Sequence, residues 1–142
     1  MLGFIMSAIA GAAMSFQGVI NTRLSEKIGL LESNVFAQGT AFLLSLIAMF
    51  LFGSGSFSEL GQTSRVYWLG GALGLVITLS VMLSVKGLGP TAAVSVILIT
   101  QLLTAAVIDA FGLLGTEKAA FAWNKYAGLG LMTGGMLLFK WR

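Results

Sequence analysis

The sequence contains no histidine and no cysteine. Without imidazole or thiolate there is no ordinary zinc, haem or thiolate-ligated centre, no cysteine nucleophile and no Ser–His pair, because each of these rests on one group or the other. The same absence excludes a disulfide-stapled scaffold. Charge is nearly as scarce: eight Lys or Arg and five Asp or Glu make up 9% of 142 residues, against about 25% in an average soluble domain. That is too little to clothe the surface of a water-soluble globule. With 57% hydrophobic residues and a mean hydropathy of +0.96, a disordered chain is excluded as well. The net charge of +3 comes from scattered basic residues with no run to track phosphates, so nucleic acid is not an expected partner. The solvent that fits is the lipid bilayer.

A helix needs about 20 mostly apolar residues to cross roughly 30 Å of hydrocarbon. Five stretches qualify: about 2–22, 34–53, 67–86, 90–112 and 124–141. Arg23, Glu26, Lys27 and Glu32 are expected in the turn between the first two, and a Gly/Ser-rich loop from Ser54 to Arg65 precedes the third. The long apolar run from Val66 to Gly112 breaks at Lys86, Gly87, Gly89 and Pro90. Proline suits the first turn of a helix and not its middle, which starts the fourth span at Pro90. Tyr67 and Trp68 open the third span, Trp123 and Tyr126 open the fifth and Trp141 closes it, as interfacial aromatic anchors would. The first span has no basic residue before Arg23 and no tidy cleavage site after Asn21, so we read it as retained and not as a signal peptide. The spans fill most of the chain, which forms a single integral membrane domain over 1–142 with no room for a soluble catalytic domain. We therefore expect no enzyme, no cofactor and no metal.

Orientation is weakly encoded. One face carries Arg65, Lys118 and Lys125, the other Arg23, Lys27, Lys86, Lys140 and Arg142, a small bias toward an outside N-terminus. Many secondary transporters are two repeats of inverted topology rocking around a midplane site. A lone unit with an odd number of spans is half of such a machine. It would pair antiparallel with itself or with a paralogous half-unit; a homo-oligomer of single orientation is the other reading.

Helix faces show what such a pair could use. Gly70 and Gly74, and Gly130 and Gly134, have the four-residue spacing that lets helices approach closely in lipid, within one subunit or between two. Amides and hydroxyls inside spans are costly unless bonded, which makes them candidates for chemistry. Gln17 and Asn21 share a face of the first helix, Gln38 sits about a turn into the second, and Gln101 and Thr104 share a face of the fourth. They are candidate substrate-binding residues; interhelical hydrogen bonding is the plain alternative. Asp109, three residues from Gly112, is the one acid inside a span and the candidate for ion coupling.

The chain resembles the small YdcZ-type members of the drug/metabolite transporter superfamily over nearly its whole length. The matching pieces are Gln17-Gly-Val-Ile-Asn21 with Arg23-Leu24, Gln38-Gly39-Thr40, Trp68-Leu-Gly70-Gly71-Ala-Leu-Gly74, the Gly87-Leu-Gly89-Pro90 break, and Gln101-Leu-Leu-Thr104 through Asp109 to Gly112. The resemblance implies a multi-pass protein of the bacterial inner membrane, occurring as five-helix half-units or fused pairs, and no particular substrate. In the family pattern a Gly precedes the fourth-helix Gln and a His follows the Asp, where Thr100 and Ala110 stand here. The Ala110 departure weakens a proton relay centred on Asp109.

The sequence thus reads as an all-α membrane protein, a bundle of five transmembrane helices forming half of a ten-helix inverted-repeat transporter. The expected function is secondary transport of a small polar or amphipathic metabolite by alternating access as a dimer. A non-transporting accessory or scaffold subunit of a membrane complex is the alternative. Because the native chain has no thiol, single cysteines at Ser25 and Ser56 report topology. Antiparallel self-pairing expects each to label from both membrane faces; single-sided labelling at both would contradict it.

Overall fold

The computed structural model describes residues 1–118 and 122–140. These residues form five α-helices: α1 (Leu2–Ile28), α2 (Leu30–Phe52), α3 (Gly70–Leu88), α4 (Pro90–Phe111) and α5 (Trp123–Lys140). No strand occurs among the described residues, as expected where lipid leaves backbone groups nothing outside the helix to bond. Among the described residues four segments are long and apolar enough to cross a membrane: Leu2–Ile28, Leu30–Phe52, Arg65–Leu88 and Pro90–Phe111. The 18-residue α5 is not among them. Asn124, Lys125 and four glycines dilute its apolar character.

Two compact units are resolved by their contacts, Met1–Gly87 and Leu88–Arg142. In the first, α1 continues six residues past the expected end at Thr22, so Arg23, Glu26 and Lys27 lie on helix and not in a turn. At 1.5 Å per residue, 27 residues reach roughly 40 Å, which lets the charged end project beyond the hydrocarbon. Arg23 Nη1 bonds Glu26 Oε2 at 3.1 Å, one turn along the same helix. The charged residues do not reverse the chain, because they form helix readily once outside the lipid.

Reversal takes a single residue, Gly29 (φ 103°, ψ 157°), a region open essentially to glycine alone. A Cβ there would also overlap the Glu32 carboxylate. Gly29 N–H donates to Ser25 O and Gly29 O accepts from Ser33 N–H, so the turn is closed from both sides. Glu32, also expected in the turn, lies in the first turn of α2, where an acid complements the helix dipole. After α2, 3₁₀ turns at Phe57–Gln62 and Arg65–Leu69 lead into α3. Tyr67 and Trp68 stand exposed on the second of these, and Trp68 Nε1 donates to Thr63 Oγ1 at 3.3 Å.

The interior of this unit is small and mostly polar. Asn21, Thr22, Ser33 and Asn34 are buried with Met82 and Val85, while Phe50 and Phe52 are more than 80% exposed. That is a soluble fold turned inside out, as lipid demands.

In the second unit α4 starts with Pro90 at its first turn and stops at Gly112, whose φ of 63° gives a left-handed cap, close to the expected 90–112. The chain leaves through a 3₁₀ turn at Leu113–Gly115, and α5 packs on α4. Trp123 opens α5, while Trp141 lies outside the described residues.

Gly29→Ala should lower the thermal stability of the detergent-solubilised protein by about 1–3 kcal/mol, the cost of forcing a side chain into that backbone region. Gly11→Ala, where a Cβ meets nothing within 4 Å, should be neutral or stabilising. Equal effects in a melting experiment would contradict the role given to Gly29.

Candidate functional site

Three helices of the first unit meet along a polar seam. On α1, residues 17, 18, 21 and 22 share one face by helical spacing; on α2 the matching residues are Ser33, Asn34 and Gln38, and on α3 Gly74, Thr78 and Met82. Gly18 makes the meeting possible: a Cβ on it would stand 3.0 Å from Val81 Cγ1. Hydrogen bonds then tie the helices. Ser33 Oγ donates to Asn21 O at 3.0 Å. Thr22 Oγ1 bonds Gly18 O at 2.6 Å and reaches Met82 O at 3.5 Å. Gln38 Nε2 donates to Thr78 Oγ1 at 3.3 Å, and that hydroxyl donates onward to Gly74 O at 2.9 Å. Such interhelical bonds are worth on average about 0.6 kcal/mol each in a bilayer, so they set register more than they supply stability.

Gln17, Asn21 and Thr78 line a cleft of about 30 Å³ on this seam. That is roughly a tenth of the smallest ordinary ligand cavity. It holds little more than water. One group on the seam is unspent: Asn34 Oδ1 is buried and accepts no hydrogen bond from a described residue. Such an acceptor costs about 1–3 kcal/mol.

The structure therefore gathers Gln17, Asn21 and Gln38 around Thr78 within one unit. Gln38 lies deeper than expected, eight residues and roughly 12 Å into α2, because the helix starts at Leu30 and not near Asn34. Gln101 and Thr104 belong to the second unit and are exposed on α4. The Thr104 hydroxyl is taken by Thr100 O at 2.8 Å, on its own helix. Asp109 is half-buried and shares a cleft between α4 and α5 with Lys125. Among the packing glycines only Gly74 has a neighbour, Gln38 Nε2 at 3.5 Å from a built Cβ; no atom of α1 or α2 comes within 4 Å at Gly70, nor of α4 at Gly130 or Gly134.

Four seam residues escaped the reading of the sequence: Thr22, Ser33, Asn34 and Thr78. Spacing could have found three of them. Thr22 follows Gly18 by four, Thr78 extends the Gly70 and Gly74 row by another four, and Asn34 precedes Gln38 by four. Ser33 carries no such signal, since its place depends on where the Gly29 turn folds α2 back.

Comparison with known proteins gives one informative result. A family described as "Putative inner membrane exporter, YdcZ" matches residues 2–138. No curated protein and no solved structure gives a significant match. The match runs through all five helices and both units, and it carries with it an inner-membrane location consistent with the four apolar helices. The chain belongs to the YdcZ family of the drug/metabolite transporters, whose description is that of an inner membrane exporter.

Proposed function

We propose that this chain is one half-unit of a secondary transporter that moves a small polar or amphipathic metabolite by alternating access. Two half-units pair, antiparallel as a homodimer or with a paralogous partner. The observation that carries this reading is the seam itself. Gln17 and Asn21 line a cleft with Thr78, Gln38 bonds that Thr78 from α2, and the cleft is far too small to be a whole ligand cavity. A wall with no chamber fits half of a machine.

Several features support the pairing. With 18 residues α5 spans about 27 Å, close to the hydrocarbon thickness, and as a fifth crossing it makes the span count odd. An odd unit repeated in opposite orientation yields a ten-helix inverted repeat. Gly130 and Gly134 have nothing of α4 against them, which leaves their face of α5 open to a second half-unit. On this reading Gln17, Asn21, Gln38 and the unspent Asn34 are the first unit's binding groups, and Gln101 and Thr104 are the second unit's.

The test is a screen of polar and amphipathic metabolites for thermal stabilisation, followed by flux in proteoliposomes. A ligand at a hundred times its Kd stabilises the folded state by about 2.7 kcal/mol. Gln17→Ala should abolish both that stabilisation and at least nine-tenths of the flux, with assembly unchanged. A scaffold would instead show no ligand in the screen and no flux.

Asn34→Leu supplies a second check, because it removes an acceptor that costs stability. It should leave the melting temperature equal or higher while weakening ligand stabilisation at least tenfold in Kd. A large loss of stability with ligand affinity intact would assign Asn34 to the fold alone.

A further inference from the structure

The cleft between α4 and α5 is a separate feature, about 330 Å³ in volume and confined to the second unit. Its mouth is defined by two charges, Asp109 near the end of α4 and Lys125 near the start of α5. Its far end is defined by Leu102 and Met132, seven residues from Asp109 and Lys125 respectively, so the cleft runs roughly 10 Å along both helices. Leu102, Leu129 and Met132 provide apolar walls, and Ala105, Ala106 and Gly128 provide a low floor. A Cβ built on Gly128 meets nothing within 4 Å, so the groove stays open there.

Depth fixes what kind of molecule would enter. Asp109 lies two residues from Phe111, the last residue of a helix able to cross the membrane, which puts the charged mouth at headgroup level and the apolar length inside the hydrocarbon. The Asp109 carboxylate has no hydrogen bond or ion pair with a described residue. A half-buried carboxylate in such a place calls for a cation with N–H donors, and the neighbouring Lys125 favours an anionic group beside that cation.

We propose that this cleft is a binding site for a zwitterionic aminophospholipid of the surrounding bilayer. The primary ammonium meets Asp109, the phosphate faces Lys125, and one acyl chain lies along Leu102, Leu129 and Met132. An anionic phosphatidylglycerol headgroup offers Asp109 no cation. A phosphatidylcholine headgroup offers a cation without N–H donors. The site therefore discriminates between lipids that share the same tails, and it is independent of the transport reading.

Native mass spectrometry of the detergent-purified chain tests this, with phosphatidylethanolamine, phosphatidylglycerol and phosphatidylcholine of identical acyl chains. The wild type should retain phosphatidylethanolamine at least fivefold over either competitor. Asp109→Asn should bring that ratio to about one. Gly128→Leu, which leaves both charges and fills the floor, should lose the bound lipid, while Glu59→Gln in the loop before α3 should keep the preference. Equal retention of the three lipids by the wild type, or an undiminished preference in Asp109→Asn, would overturn the site. Displacement of the lipid by millimolar phosphoethanolamine, which has the headgroup and no tail, would overturn the lipid assignment in favour of a soluble ligand.

Discussion

Lipid offers a helix neither hydrogen bonds nor a hydrophobic reason to leave it, and the structure of this protein follows from that constraint. Every backbone group must be satisfied along its own helix, so apolar runs become helices and the connections between them shrink. Helices then associate only where they fit closely or bond specifically. Gly18 against Val81 is such a fit, and the Ser33–Asn21 and Gln38–Thr78 bonds are such contacts. Asn21, Thr22, Ser33 and Asn34 are turned inward, while many large apolar side chains face outward. Stability and chemistry compete for the same residues, because groups that lock register are drawn from the same small set as groups that could hold a solute.

How far each feature could be read in the sequence depended on whether its cause was local. The start of α4 at Pro90 and its stop at Gly112 were legible because proline and left-handed glycine act on their own backbone. The end of α1 was not, because Arg23, Glu26 and Lys27 look like a loop to any argument from hydropathy, whereas the chain turns only where Gly29 permits. The same displacement misplaced Gln38, whose depth depends on where α2 begins. Of the polar seam, Gln17, Asn21 and Gln38 were visible as polar residues in apolar runs. Ser33, buried by the fold-back of α2, became visible only in three dimensions.

The two units differ in character. The first is tied by interhelical hydrogen bonds and leaves only a narrow cleft on its seam. The second has an open groove between α4 and α5 with charge at one end and small residues on its floor. A transporter requires parts that hold shape and parts that face a changing environment. The seam suits the first task, and the groove, as the lipid site proposed above, suits contact with the bilayer. Membership of the YdcZ family places both in an inner-membrane protein with a transport role.

The central claim is that one chain supplies half of a binding site. The most direct measurement is the stoichiometry of the stabilising ligand, by calorimetric titration of the purified protein at concentrations well above the Kd. The account predicts one ligand for every two chains. One ligand for each chain, bound by a monomer, would contradict it.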